Sequence, residues 1–191
     1  MPSVWDNFTP RFFSVEAFAD YAPRQIATSH WKGDRIVLHN TGEPTLKERP
    51  NGLSATHIHN LISYYRDQQK WHAGPHLFVD QLGIWVFSPL TQPGVHSPSW
   101  NDISYGIEQV GNFDTEPYLS GAGNAVRANA VAALAILCHG AKIDTSQIFL
   151  HRMDPKTTHK DCPGKNCADQ YETIKANAHA YILDELVPEK S

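Results

Sequence analysis

The sequence has little cysteine, no long apolar run and no cluster of basic residues, and each shortage removes a class of protein. Cys138, Cys162 and Cys167 are its only three cysteines in 191 residues, too few and too odd in number for a disulfide framework. No segment approaches the ~20 apolar residues that span a bilayer, so no membrane partner is expected. Lys and Arg total 16 against 20 Asp and Glu, a formal net charge of −4. The cations are not gathered into a run, so nucleic acid, whose phosphates need clustered Lys and Arg, is not expected as a partner. Met1–Pro10 lacks the positive start and apolar stretch of a signal peptide and carries Asp6; the expected location as synthesised is the cytoplasm. There is no internal repeat and no low-complexity tract.

What remains is an ordinary globular composition, 41% hydrophobic, long enough for one well-buried core and expected to be a monomer. Residues 1–30 read as an N-terminal extension, with a short helix at Val15–Tyr21 packed on a main domain of residues 31–187. Arg35–His39 (RIVLH) and Gln147–His151 (QIFLH) are short apolar runs that read as buried strands ending in histidine. His76–Asp80 and Ile84–Ser88 flank a Gly-containing connector and predict a hairpin; Ile103–Val110 is a further strand. Ser54–Gln68, with Ser54 as N-cap, Ala125–His139, stopping at Gly140, and Ala168–Leu186 have helical patterns. Met153–Asn166 reads as a loop. Strands and helices intermingle, so the expected fold class is α/β, a single domain with a central mixed β-sheet flanked by helices.

Eleven histidines are many for this length, and context must select among them. His39 and His151 end strands, where a sheet holds a ligand rigid while the loops beyond form a cleft. A Cys in the loop after His151 would complete a three-ligand site with an open position, the coordination of catalytic zinc. Such zinc would acidify water and polarise a scissile carbonyl. On spacing alone other readings stay open: strand-end histidines are often only hydrogen-bonded, and Cys162 and Cys167 could pair or be inert.

His39-Asn40-Thr41, Trp71-His72-Ala73-Gly74, His76-Leu77-Phe78-Val79-Asp80, Gly106-Ile107-Glu108-Gln109-Val110-Gly111-Asn112-Phe113, and His151-Arg152 with Lys160-Asp161-Cys162-Pro163-Gly164 follow one another in that order. Together, from about Arg35 to about Ala180, they resemble the zinc-dependent N-acetylmuramoyl-L-alanine amidases. That family includes phage lysozyme-type amidases, muropeptide-recycling amidases and peptidoglycan recognition proteins. The resemblance implies Zn2+ held by His39, His151 and Cys162, and a peptidoglycan or muropeptide substrate cut between N-acetylmuramic acid and L-alanine. It makes Lys160 the cation that stabilises the oxyanion. Phage-type members use a Tyr just before the His of the His76-Leu77-Phe78 motif; here Pro75 stands there and cannot serve as a base. Recycling-type members use the Glu of the Gly-Ile-Glu motif, which is Glu108, either as general base or only as a brace for a histidine ligand. Among the residues expected to bind substrate, Asn40 and Thr41 follow the first ligand and could also orient it, His72 and His76 line or buttress the site, and His96 and Trp100 lie in a loop where family members often contact substrate. Trp71, Trp85 and Trp100 could stack on sugars or simply be buried.

Two rivals remain at this stage. A recognition module keeps the fold, binds muropeptides without cutting them, and typically lacks the metal Cys. A structural zinc site would be closed by a fourth ligand, for which His159 and Cys167 are the candidates. An amidase of this kind would stay in the cytoplasm as a recycling enzyme or be released to the wall at lysis as an endolysin.

Overall fold

The computed structural model describes residues 2–187. Its elements are β1 (Arg11–Phe13), α1 (Val15–Ala27), β2 (Arg35–Asn40), α2 (Ala55–Ser63), β3 (Leu77–Val79), β4 (Ile84–Val86), β5 (Ser104–Gln109), α3 (Gly121–Ala141), β6 (Ile148–Leu150), α4 (Lys165–Ala168) and α5 (Tyr171–Tyr181). The six strands form one sheet in the order β1-β4-β3-β5-β2-β6. β3, β5, β2 and β6 run parallel, while β4 pairs antiparallel with both β3 and β1. The expected α/β domain with a mixed sheet is what the chain forms.

Alternation along the strands divides the sheet into two faces. Ile36, Leu38, Leu77, Val79, Tyr105, Ile107, Ile148 and Leu150 point to a core shared with α1, α3 and α5. Phe78 joins Phe87, Val110, Leu53 and Ile58 in a smaller cluster, with Trp5 and Tyr65 packed at its edge. Residues 1–30, expected as an extension, supply the edge strand β1 and helix α1, whose Phe18, Ala22 and Ile26 are fully buried. β1 has no counterpart among the expected strands; it pairs with β4 through Arg11↔Val86 and Phe13↔Ile84.

Helix ends follow local chemistry. Ser14 Oγ accepts from the Ala17 N–H at the start of α1. Ser54 Oγ accepts from His57 N–H while His57 Nδ1 accepts from Ser54 N–H, a reciprocal cap that gives His57 a local task. α3 runs one residue past the expected stop at Gly140, and the left-handed cap falls on Lys142. Gly140 instead lies where α3 meets α1, its missing side chain facing Pro23. By length and composition α3 could cross a membrane, contrary to the expectation that no segment could. Its apolar surface is largely consumed in the core, where Val126 and Ala133 to Leu137 are buried. α2 continues from Tyr64 to Gln68 as a π-helical turn, a distortion that helices often carry at functional sites.

Candidate active site

Parallel pairing builds the centre of the site. β2 and β5 align His39 opposite Glu108, and β3 and β5 align Phe78 opposite Glu108, so all three side chains share one face. Leu38 pairs with Leu150, which puts His151, the next residue, level with His39. His151 lies just past β6 and opens a turn of 3-10 helix, so the strand, expected as Gln147–His151, ends one residue short of it. The site lies at the carboxyl ends of parallel strands, where α/β sheets open into clefts.

The loop after His151 returns to its start. Arg152 N–H and Nε both donate to the Cys162 carbonyl, at 3.0 and 3.3 Å. This closure sets the Cys162 thiol beside the two histidines. Gly164 (φ +88°) anchors the far end of the loop against Phe113, whose backbone a Cβ at 164 would approach to 2.5 Å; only glycine fits there.

His39, His151 and Cys162 each offer a ligand atom, all within 4.8 Å of one another. Both imidazoles suit a metal. Burial, then the neighbouring imidazoles of His151 and His96, holds His39 well below the ordinary histidine range. Burial and His159 pull His151 down to about 4. Both rings are therefore neutral at pH 7, as metal binding requires. His39 Nε2 is engaged by His96 Nδ1 at 3.1 Å and His151 Nε2 by Thr157 Oγ1 at 2.9 Å, which leaves the Nδ1 of each ring. Burial, then the charge of Glu108, raises the Cys162 thiol above its usual value, so it stays protonated until a nearby cation favours the thiolate. The donor set fits zinc. Neither candidate for a fourth ligand joins the cluster. Cys167 is buried on the helix side and accepts from Gln109 Nε2 at 3.4 Å, and His159 stacks over His151 at 5.6 Å between centroids. All three cysteines are free thiols, which removes the Cys162–Cys167 pairing.

A cleft of about 840 Å³ opens over this cluster, in the size range of small-molecule sites. Glu108 lies on its floor. Burial pushes its carboxyl up to about 8, although the side chain is partly open to the cleft, which softens that penalty. Its carboxyl has no hydrogen-bond partner among the described residues, so it does not brace a histidine. Lys160 lines the rim and donates from Nζ to the Asp154 carbonyl at 3.1 Å. Asn40 and Thr41 also line the cleft, but their side chains hold loops: Asn40 Nδ2 donates to the Gly111 carbonyl, and Thr41 Oγ1 donates to Pro44 and accepts from Gly111 N–H.

Three of the residues expected to bind substrate lie elsewhere. His76 is fully buried; Nδ1 accepts from Gly106 N–H, Nε2 donates to the Gln92 carbonyl, and Trp31 stacks on the ring at 5.5 Å. With both nitrogens used, it has nothing to offer a ligand. Trp100 packs on Phe149 and under the Arg35 guanidinium, at the start of β2 and thus the far end from His39. His72 is half-buried and does not line the cleft. His96 does reach the cleft, but its ring is buried against His39. The wall from α2 and its π-turn, Leu61, Tyr64, Tyr65 and Gln69, is not among the expected site residues; it is continued by Trp71, one of the tryptophans read as able to stack on sugars. Tyr65 stacks on Trp71 at 5.3 Å, and burial, then the charge of Glu108, raises its phenol well above the usual range. The adjacent Tyr64-Tyr65 pair at the end of an amphipathic helix is the signal that the sequence offers for this wall.

Residues 31–165 match the sequence profile of the N-acetylmuramoyl-L-alanine amidases. The chain belongs to that family. Among solved structures, the amidase fold is shared with the endolysin amidase LysCS from Clostridium intestinale URNW (TM-score 0.59, 24% identity, 78% of this chain and 85% of that one). It is shared with a mutant endolysin from Bacillus subtilis (TM-score 0.59, 24% identity, 78% and 86%), and with the Drosophila recognition protein PGRP-LB (TM-score 0.57, 18% identity, 74% and 81%). No curated protein matches the chain by sequence. The cleft thus lies in an N-acetylmuramoyl-L-alanine amidase domain whose fold is also that of a recognition protein, so its own residues must separate cutting from binding.

Proposed function

We propose that the protein is a zinc-dependent amidase that hydrolyses the bond between the lactyl group of N-acetylmuramic acid and L-alanine. The observation that carries this reading is the convergence of His39, His151 and Cys162 beneath an open cleft, with the unpartnered carboxyl of Glu108 beside them. Three ligands and an open fourth position suit catalysis rather than structure. The presence of Cys162 supports cutting over recognition alone.

His39, His151 and Cys162 would hold the zinc, which would supply a Lewis acid for the amide carbonyl and acidify a bound water. Glu108 takes a proton from the attacking water and delivers it to the departing nitrogen, which leaves as the amino group of L-alanine. Its value of about 8 in the metal-free site falls when a cation sits nearby, towards the range that suits a group that must both accept and donate. Lys160 spends one of its three N–H donors on Asp154; the other two are free to steady negative charge on the carbonyl oxygen. The aromatic wall of Tyr64, Tyr65 and Trp71 suits the sugar, and the rim with Glu43, Asp114, Asp161 and Lys160 suits the ionised groups of a stem peptide.

The test is a digest of purified peptidoglycan read by mass spectrometry. Intact stem peptides beginning at L-alanine are expected, abolished by a chelator and restored by zinc. Cys162→Ser should lose both zinc and product. A zinc-loaded protein that binds muropeptides yet yields no new termini would be a recognition module instead.

A further inference from the structure

Behind the candidate ligands runs a row of imidazoles. Ring centroids of His76 and His96 lie 5.9 Å apart, those of His96 and His39 5.1 Å, and those of His39 and His151 4.3 Å. One link in this row is a hydrogen bond, between His39 Nε2 and His96 Nδ1 at 3.1 Å. One of these nitrogens must hold the proton and the other the lone pair, and the far side of His96 decides which. There, Nε2 lies 3.4 Å from the Ser104 carbonyl oxygen and 3.4 Å from Ser104 Oγ. A carbonyl can only accept. The Ser104 hydroxyl donates its single proton to the Trp100 carbonyl at 2.6 Å, so it too can only accept. The proton of His96 therefore sits on Nε2, its Nδ1 is a lone pair, and His39 must donate from Nε2. That fixes His39 as the tautomer with an unprotonated Nδ1.

We propose that His96 is a positioning residue that accepts the His39 Nε2–H and so reserves the Nδ1 lone pair of His39 for the metal. The inference rests on the amidase reading above. Its support is a built environment, not a chance contact. The N–H groups of His96 and Ser97 both donate to Asn101 Oδ1 at 2.7 Å, which holds the turn that carries the ring. The ring itself lies on Gly106, where a Cβ would come within 2.5 Å of its Cγ. Any side chain at 106 would push the imidazole off its place. β5 thus presents a bare position one pleat before Glu108, and His96 fills it. A fixed tautomer and orientation raise the basicity of a ligand ring, and outer-shell partners of this kind typically change metal affinity by about 10–100-fold.

Two measurements test this. Long-range nitrogen–proton NMR correlation on the zinc-free wild type reads the His39 tautomer directly and requires no variant. Nε2–H is expected; an Nδ1–H tautomer at His39 overturns the proposal. Zinc affinity is then measured by competition with a chromophoric chelator in His96→Gln, which keeps an acceptor, and His96→Met, which has similar length and none. His96→Met should bind zinc about 10–100-fold more weakly than wild type and lose the single His39 tautomer, with His96→Gln intermediate. Equal zinc affinity in wild type and His96→Met overturns the role of His96 while leaving the amidase reading intact. Failure of the wild type to bind zinc overturns the metal reading itself.

Discussion

β2 and β5 carry two chemistries on opposite faces, one residue apart. Leu38 and Ile107 enter the helix-covered core with no exposed surface, and His39 and Glu108, the next residue on each strand, belong to the cleft. The helix face also holds a polar side chain, Gln109, and there the protein completes its bonding. Its Nε2 donates to the His39 carbonyl at 3.2 Å and to Cys167, and its Oε1 accepts from Tyr118 Oη–H at 2.6 Å. Glu108 has nothing comparable. Folding alone satisfies Gln109, as it does nearly all buried polar groups; Glu108 is left for something the chain does not contain. The same division separates the histidines. His76 has both nitrogens engaged by backbone, while His39 and His151 each keep one.

If the faces are as distinct as this, changing one should leave the other untouched. The largest effect is expected from Glu108→Gln, which should lower turnover by about 10²–10⁴-fold with zinc content unchanged. The same variant sharpens the comparison in the metal-free protein. The folded value of about 8 lies above the ordinary 4.5, so the fold favours the neutral acid. Wild-type stability is then fully present below pH 4.5 and declines as pH rises towards 8. Denaturant unfolding should show Glu108→Gln equal to wild type at pH 4 and more stable at pH 8. The gap should be less than about 5 kcal/mol, because the carboxyl is partly open to water. A Gln variant that turns over at the wild-type rate would remove Glu108 from the proton transfer.

The helix face should behave in the opposite way. Leu134 is fully buried in α3, and Leu134→Ala should cost about 2–5 kcal/mol of stability while zinc affinity stays at the wild-type level. A parallel loss of zinc binding would show that the two faces are coupled and break the comparison.

These divisions explain which parts of the site are legible in the sequence. A strand's face is set by period two, so the histidines ending RIVLH and QIFLH are recognisable as equivalent from residue order alone. The helices are legible for a similar reason, from their caps and apolar spacing. The targets of the other histidines are not. His76 and His96 sit in equally suggestive motifs, but whether an imidazole meets substrate, backbone or another imidazole depends on loops that chain order does not locate. Trp100 lies away from its expected place for that reason: its turn folds back to Arg35. β1 escapes detection because three residues have too little pattern, and its partner in β4 lies some seventy positions away. Tyr64 and Tyr65 belong by spacing to an ordinary apolar face; in the structure both line the cleft where α2 passes into the π-turn.

The smallest effect expected tests the joint between the two loops that carry the site. Asp154 lies three residues after His151 and is fully buried. One carboxylate oxygen accepts from Ser97 Oγ–H and Ser99 N–H, next to His96, and the other accepts from Lys156 N–H. Burial alone would raise its pKa, but these hydrogen bonds outweigh burial and lower it to about 2 from an ordinary 3.8. Because the folded value is the lower one, its contribution is complete above about pH 4 and disappears as pH falls through about 2. The shift amounts to about 2 kcal/mol. Asp154→Asn cannot accept on both sides, so in the zinc-free protein it should be less stable than wild type at pH 6. The two unfolding curves should converge as the pH is lowered towards 2. A gap that stays constant across that range would mean that Asp154 acts through shape and not through its charge.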